Sequence, residues 1–275
     1  MAEAGVSEPR ASEPRVSALV VGGPSASEPR AVLLDVDFTL LRPSELFSAE
    51  GYRVAGARFG LRLDTRRWRD AERRAARAVE ARRAGRGNVH DDAVYEVIAE
   101  AIVTAMGGHD AARVGRCATA IVEAWGRCAN FSLYDDARPC LTGLRDAGLS
   151  VGLISNTNRD LDEVLDAFDL RHLVDGVVTS AQVGLFKPAR EIFAAALACI
   201  GAEARDTVMV GDSYRDDVEG ALAAGLSAVL LDRDGGRAAA LSGARFEAPV
   251  IASLAELPAL LGLPRPAPAD DAALV

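Results

Sequence analysis

Two aspartates that directly follow a short apolar segment are the residues best suited to chemistry. Asp35 and Asp37 come after residues 31–34, a run that is apolar at every position, as in a strand buried within a parallel sheet. Side chains two positions apart on a strand point the same way, so the two carboxylates would lie close together and repel each other. A cation or a shared proton would relieve that repulsion. The pair therefore indicates a metal site, acid/base chemistry or both, and an ordinary turn is the alternative.

Further polar side chains follow other apolar segments or precede a predicted helix. One pair follows residues 151–154 and one acid follows residues 207–210, with two more acids shortly beyond. Each alone would more often be a turn or a helix cap. Together, at successive predicted strand ends, they are hard to explain as turns. The set, in chain order, is Ser155, Asn156, Lys187, Asp212, Asp216 and Asp217.

These residue types suit phosphoryl chemistry. Carboxylates such as Asp35, Asp212 and either Asp216 or Asp217 are the hard oxygen ligands that Mg²⁺ prefers. Hydroxyl, amide and ammonium groups can donate hydrogen bonds to an anionic oxygen, and a metal opposite such donors forms a clamp for a phosphoryl group. One aspartate could then attack phosphorus while the second acts as general acid and base.

Lys187 is unusual because it is the only lysine among 31 basic residues. It stands beside a proline at a predicted strand-to-helix junction. A lysine carries a compact point charge where an arginine would bring a planar fork. We interpret its placement as functional, with chance placement as the alternative.

The pattern of elements predicts how these residues are positioned. From about residue 135 onward, apolar strand segments alternate with helical segments, which predicts a doubly wound parallel sheet of the Rossmann-like α/β class. In such sheets the ligand site lies beyond the carboxyl ends of the strands. Residues 43–131 show only helical patterns, with helices predicted to begin at Ser44, Thr65, Asp91 and Asp110. We therefore predict an all-helical domain, residues 43–131, inserted into a core made of residues 31–42 and 132–263.

The two chain ends have the composition of disordered tails. Residues 1–30 contain the tetrapeptide Ser-Glu-Pro-Arg three times, and residues 264–275 are rich in proline, alanine and aspartate. Frequent proline with few large apolar side chains does not support a packed element. We expect both segments to be disordered.

Composition excludes several classes of function. The chain has 275 residues, 49% of them hydrophobic, and a formal net charge of −9, which disfavours nonspecific nucleic-acid binding. Its four cysteines form neither a Cys-x-x-Cys pair nor a cluster with histidine, so a zinc site or a disulfide framework is not expected. There is no apolar run of about 18 residues and no signal-peptide pattern. We expect a cytoplasmic protein without a membrane partner.

With these residues in view, the chain resembles the haloacid dehalogenase-like (HAD) hydrolase superfamily. The segment Asp35-Val36-Asp37-Phe38-Thr39-Leu40 resembles its first motif and Ser155-Asn156 its second. Lys187 resembles the third motif, and Gly211-Asp212 through Asp217 and the following Val-Glu-Gly-Ala resemble the fourth. The inserted helices are similar to the cap that some members carry after the first strand.

The resemblance implies a role for each residue. Asp35 would be the nucleophile and a Mg²⁺ ligand, and Asp37 the general acid/base that also lends its backbone carbonyl to the metal. Asp212 would be the other direct metal ligand. The remaining implied residues are the phosphate-binding Ser155, Asn156 and Lys187 and the supporting acids Asp217 and, more weakly, Asp216.

The resemblance also leaves alternatives open. Dehalogenases of the superfamily lack acids like Asp37 and Asp212, which favours a phosphatase acting on a small phosphomonoester, but phosphomutases share the set. A non-enzymatic interaction protein built on the same scaffold is another alternative, for which the tetrapeptide repeats and an arginine-rich helix between residues 58 and 86 would be suited. We expect substrate contacts from Glu45, Tyr52 and Arg53 on the first inserted helix. The oligomeric state stays open.

Overall fold

The computed structural model describes residues 28–236 and 248–263. The two predicted tails lie outside these residues, apart from positions 28–30. The boundary of the first tail is wrong by one residue or more, because the Arg30 N–H donates to the Asp206 carbonyl (2.8 Å) and the Arg30 carbonyl accepts from the Ser150 N–H (3.0 Å). Arg30 therefore extends the hydrogen bonding of the central strand.

A six-stranded parallel sheet forms the centre of the structure. Its order is β5-β4-β1-β6-β7-β8, and β2 pairs with β3 in a separate antiparallel sheet. The strands within the described residues are β1 (Ala31–Leu34), β2 (Leu41–Pro43), β3 (Phe131–Leu133), β4 (Ser150–Ser155), β5 (Gly176–Thr179), β6 (Thr207–Gly211), β7 (Ser227–Leu231) and β8 (Val250–Ile251).

Strand β1 lies in the middle of the sheet because all four of its side chains are apolar and can be buried on both faces. Val32 and Leu34 pack into one hydrophobic core, with helices after β3 and β4, while Leu33 packs into the other, against Phe193 and Met209. Helices thus cover both faces, and the predicted doubly wound α/β fold is confirmed.

Four helices lie between β2 and β3: α1 (Ala49–Arg58), α2 (Trp68–Arg86), α3 (Ala93–Ala105) and α4 (Ala111–Trp125). We call residues 44–130 the helical segment. It has its own hydrophobic core, which includes Tyr52, Val103 and Ile121. The antiparallel pair β2 and β3 carries the chain out to this segment and back. Each of these strands has three residues, which is too few for the sequence pattern to reveal it. The prediction of helices alone in this region therefore did not include them.

Two of the predicted helix starts are wrong. Ser44 precedes a short 3₁₀ turn without capping it, and the cap of α1 is Ser48, whose hydroxyl accepts from the Gly51 N–H. Thr65 lies inside another 3₁₀ turn capped by Asp64, and α2 begins only at Trp68. In both places a serine, threonine or aspartate neighbour offered a competing cap.

The remaining helices connect the strands of the core. They are α5 (Ala137–Asp146), α6 (Leu161–Ala167), α7 (Ser180–Val183), α8 (Arg190–Ile200), α9 (Gly220–Ala223) and α10 (Leu257–Leu260). The chain after β6 forms a π-helical turn, Tyr214–Glu219, which is followed by α9. Within residues 28–236 and 248–263, helices long and apolar enough to cross a membrane are absent.

Candidate active site

The parallel strands bring the predicted residues to one edge of the sheet. Asp35 follows β1, Ser155 ends β4 and Asp212 follows β6, and β1 lies between the other two strands. A cavity of about 450 Å³ opens between this edge and the helical segment. The sequence-predicted residues that line it are Asp35, Asp37, Ser155, Asn156, Lys187, Asp212, Asp216 and Asp217.

Lys187 binds two of the aspartates at the base of the cavity. Its Nζ donates to Asp35 Oδ1 and to Asp217 Oδ1, both at 2.6 Å, and to the Ile154 carbonyl at 3.0 Å. The side chain is only 1% exposed and Asp35 only 7%. One buried ammonium therefore shares its charge between two buried carboxylates, which explains why a compact lysine is needed in a chain otherwise rich in arginine.

Burial and crowding shift the pKa values of these three groups. Burial raises the pKa of Asp35, since Lys187 compensates only in part and the Asp37 charge adds to the effect. Burial, helped by the Asp35 charge, raises the pKa of Asp217 to about 6 despite Lys187. Burial alone would lower the pKa of Lys187, but Asp217 and Asp35 raise it. When both carboxylates are ionised, Asp35 and Asp217 carry one more charge than the single ammonium of Lys187 balances.

That excess suits a divalent cation. Asp35, Asp212 and Asp217 each offer a carboxylate oxygen within 4.8 Å of the others. The five aspartates of the cavity face three nearby cations, Lys187 and two arginines, which leaves two formal negative charges when all are ionised. An all-oxygen donor set with this charge fits Mg²⁺. The side chain of Asp37 is not part of this cluster.

Asp37 instead forms an ion pair that the sequence analysis missed. Arg159 Nη2 donates to Asp37 Oδ1, although the two residues are 122 positions apart. The Arg159 side chain is buried, and its guanidinium lies over the Phe131 ring, 4.3 Å from the centroid. Arg159 comes four residues after Ser155, so its nearness to the second motif was a usable signal. It was hidden because the chain has arginine at most of its basic positions.

Asn156 is held by the chain around Lys187. Its Oδ1 accepts from the Lys187 N–H (2.7 Å), and its Nδ2 donates to the Lys187 carbonyl (3.2 Å) and to Asp216 Oδ2 (3.1 Å). The amide therefore fixes the backbone that carries Lys187, and its predicted contact with phosphate stays a prediction. Ser155 is buried at the end of β4 and lines the cavity.

Asp216 connects the core to the helical segment. Arg83 of α2 donates from Nη1 to Asp216 Oδ1 (2.7 Å) and from Nη2 to Asp216 Oδ2 (3.1 Å). Sequence patterns do not reveal this pair because its members are 133 positions apart. Asp216 is thus a partner of Arg83 and Asn156, while Asp217 is the acid that contacts Lys187.

The segment after α2 also contacts the loop that carries Lys187. The Phe186 N–H donates to the Asn88 carbonyl (2.7 Å), and the His90 N–H donates to the Gly184 carbonyl (2.9 Å).

Of the three predicted substrate contacts, Tyr52 lines the cavity. Glu45 and Arg53 are absent from its described lining, and Arg53 pairs with Glu50 on the surface of α1.

Comparison with known proteins agrees with this geometry. The family model for haloacid dehalogenase-like hydrolases matches residues 29–225, and this range contains all the residues of the candidate site. The chain belongs to the haloacid dehalogenase-like hydrolase family. Phosphoserine phosphatase of Thermus thermophilus is 38% identical over 104 residues, which are 38% of this chain and 42% of that protein. Haloacid dehalogenase-like hydrolase domain-containing protein 3 of Bos taurus is 32% identical over 46% of this chain and 50% of its own length.

The match to these two relatives spans half or less of their length. Solved structures extend the likeness of the fold to most of the chain. An HAD phosphatase from Thermococcus onnurineus covers 86% of this chain and 99% of its own at 25% identity, with a TM-score of 0.55. The L-2-haloacid dehalogenase RSc1362 covers 86% and 100% at 21% identity, with a TM-score of 0.61. Because both activities occur on this fold, the fold alone does not decide between them.

Proposed function

We propose that the protein is a Mg²⁺-dependent phosphohydrolase that cleaves a small phosphomonoester through a phosphoaspartyl intermediate at Asp35. The observation that carries the proposal is the arrangement at the base of the cavity. Three carboxylates within 4.8 Å, an ammonium bound to two of them, and a further carboxylate on Asp37 surround one space. In a dehalogenase there would be no use for the acids at 37 and 212.

The proposed reaction uses two aspartates in turn. A carboxylate oxygen of Asp35 attacks phosphorus, and the bond from phosphorus to the leaving oxygen breaks as Asp37 gives that oxygen a proton. Asp37 then takes a proton from water, whose oxygen attacks phosphorus and releases Asp35 and inorganic phosphate. Arg159 donates a hydrogen bond to Asp37 and holds its carboxyl group in place during both steps.

The other residues bind and neutralise charge in this proposal. Lys187 holds Asp35 and reduces repulsion between the carboxylate and the phosphoryl oxygens, and Ser155 donates a hydrogen bond to one of those oxygens. Asp35 and Asp212, with Asp217 beside them, would hold the Mg²⁺ ion, which supplies Lewis-acid stabilisation of the phosphoryl charge. The helical segment would act as a cap that excludes water from the cavity.

A panel of phosphomonoesters tests the proposal. With Mg²⁺ present we expect release of inorganic phosphate, and we expect a chelator to abolish it. Asp35→Asn should lower kcat by about 10³-fold or more, because the amide is a far weaker nucleophile. Asp146→Asn removes an exposed carboxylate of α5 outside the cavity and should leave kcat unchanged. Full activity in Asp35→Asn, or in the presence of chelator, would contradict the proposal.

The state of the cysteines bears on where the protein acts. We propose a cytoplasmic enzyme, in agreement with four cysteines that form no disulfide.

Relatives named as phosphatases of glyceraldehyde 3-phosphate and ribulose-1,5-bisphosphate support a small phosphorylated substrate. A phosphomutase would differ by returning the phosphoryl group to an organic acceptor, so release of inorganic phosphate separates the two.

A further inference from the structure

The side of the cavity contributed by the helical segment is mostly apolar and rich in aromatic residues. Its lining includes Phe47, Tyr52, Trp68, Tyr95, Ile102 and Trp125. Several of these rings contact one another: Phe47 and Trp125 meet edge to face at 4.7 Å, and Tyr52 and Trp68 at 5.3 Å between centroids. The space opposite the aspartates is therefore suited to an apolar, flat group.

Phe38 brings an aromatic ring to the same cavity from the core. It directly follows Asp37, its ring is 6.1 Å from that of Trp125, and it remains 40% exposed. Its backbone has φ of 63°, a left-handed conformation that is uncommon for a bulky residue and that glycine adopts without cost. An aromatic residue at such a position, with its ring still exposed, gains little for folding, so a contact with a ligand is the better explanation.

The charges around the cavity argue against a second anionic group on the substrate. Lys187 is the one cation among the described lining residues, and it is bound to Asp35 and Asp217. The helical segment contributes a carboxylate, Glu72, to the lining, and no arginine of that segment lies among the described lining residues. A carboxylate or second phosphate on the leaving group would lose water there without gaining a partner.

We propose that Phe38, Phe47 and Trp125 form an aromatic wall that selects the leaving group, and that the substrate is an aryl or similarly apolar phosphomonoester without a second anionic group. The inference rests on the proposed phosphohydrolase function and adds its substrate class. The wall would lie on the opposite side of the phosphoryl group from Lys187. The proposed substrate class differs from phosphoserine and ribulose-1,5-bisphosphate, for which two relatives are named.

Two pairs of matched compounds test the substrate class. We expect kcat/KM for benzyl phosphate, whose leaving alcohol is about as basic as glycerol, to exceed that for glycerol phosphate by about tenfold, the upper end of what one aromatic contact contributes. We expect kcat/KM for para-carboxyphenyl phosphate, which differs from phenyl phosphate only by an added carboxylate, to be lower than that for phenyl phosphate by a similar factor. A preference for glycerol phosphate or for the carboxylated ester would overturn the inference while leaving the phosphohydrolase standing.

Phe38→Gly tests the wall itself. Glycine fits the left-handed backbone, so the midpoint of thermal unfolding should stay the same or rise, while the preference for benzyl over glycerol phosphate should fall about tenfold. Asp169→Gly is the matched control, because Asp169 is the other described non-glycine residue with positive φ and lies outside the cavity lining. It should leave the preference unchanged. An unchanged preference in Phe38→Gly would overturn the role of the wall.

A binding measurement separates failure of this inference from failure of the proposed function. Both tryptophans of the chain, Trp68 and Trp125, line the cavity, so their fluorescence reports a ligand there. Wild-type protein should bind phenyl phosphate, in the presence of a chelator, more tightly than glycerol phosphate, and Phe38→Gly should lose the difference. If no ester is hydrolysed, the proposed function fails, and equal binding of the two compounds would still overturn the wall.

Discussion

At the scale of single residues, the position of Lys187 decides the electrostatics of the site. Its ammonium contacts Asp35, Asp217 and the Ile154 carbonyl within a buried space. Such a group was predictable, because the chain has a single lysine and it precedes a predicted helix beside a proline. The two long-range arginine pairs were not, because 30 arginines give no indication of which ones are buried.

Two substitutions at Lys187 distinguish the effect of its charge on stability from the effect of its size and shape. Lys187→Met leaves Asp35 and Asp217 buried without a cation, so in the absence of metal the free energy of unfolding should fall by about 3–5 kcal/mol at neutral pH. Lys187→Arg keeps the charge but forces a larger planar group into a filled space, at a cost of about 1–3 kcal/mol. Urea denaturation with a chelator present measures both. A methionine variant as stable as wild type would show that the buried lysine is not needed for charge balance.

At the scale of elements, the end of β6 must pass very close to the turn that follows it. A Cβ on Gly211 would lie 2.2 Å from Asp217 Oδ2, a distance that real contacts do not reach. The Asp217 carboxylate is fixed there by the Ser213 N–H, which donates to Oδ2 at 2.9 Å. Glycine at this strand end is therefore required so that β6 and the π-helical turn can place Asp212 and Asp217 side by side.

Gly211→Ala should accordingly damage the site. We expect it to displace Asp217 from Lys187, to lower kcat by about tenfold or more, and to reduce the free energy of unfolding by about 1–3 kcal/mol. Gly143→Ala is the matched control, because a Cβ there meets nothing within 4 Å in helix α5. That change should stabilise the protein by about 0.5–1 kcal/mol and leave kcat unchanged. Equal behaviour of the two variants would refute the packing argument.

The elements that the sequence did not reveal share a physical cause. Strands β2 and β3 have three residues each and helix α7 has four, so each is too short for its pattern to repeat and be recognised. Longer elements such as β4 and α4 were predicted to within one or two residues. The starts of α1 and α2 were misplaced because several capping residues lie in succession, and only the folded chain decides which side chain accepts a backbone hydrogen bond.

At the scale of the whole molecule, one carboxylate joins segments far apart in the chain. Asp136 accepts from Arg233 Nη1 (2.8 Å) and Nη2 (2.9 Å), from the Ser253 hydroxyl (2.6 Å) and from the Leu254 N–H (2.9 Å). Arg233 Nη2 also donates to the Thr39 carbonyl (2.8 Å), beside the first motif. This cluster connects α5, the end of β7, the segment before α10 and the turn after β1.

The cluster should make stability depend on pH. Burial would raise the pKa of Asp136, but hydrogen bonds from Arg233 and Ser253 outweigh it and lower the pKa. A lowered folded-state pKa stabilises the protein above the unfolded value of about 3.9 and loses that contribution as pH falls through the folded value. Asp136→Asn should cost about 1–2 kcal/mol at pH 7, toward the lower end because the group is partly solvated.

The difference in the free energy of unfolding between wild type and Asp136→Asn should therefore shrink as the pH is lowered below about 4. Urea denaturation across a pH series measures it, with Asp146→Asn as the control for loss of an exposed carboxylate. A difference that stays constant down to low pH would mean that the charge of Asp136 does not stabilise the fold.

In the proposed reaction, the phosphoryl group is transferred to Asp35 before it reaches water. The most direct test is to mix wild-type protein with Mg²⁺ and an aryl phosphate, quench with acid within one turnover, and map the modified peptide by mass spectrometry. We predict a phosphoryl group on Asp35 that disappears as inorganic phosphate is released. Release of phosphate without any phosphoryl group on Asp35, or with one on another residue, would contradict the account.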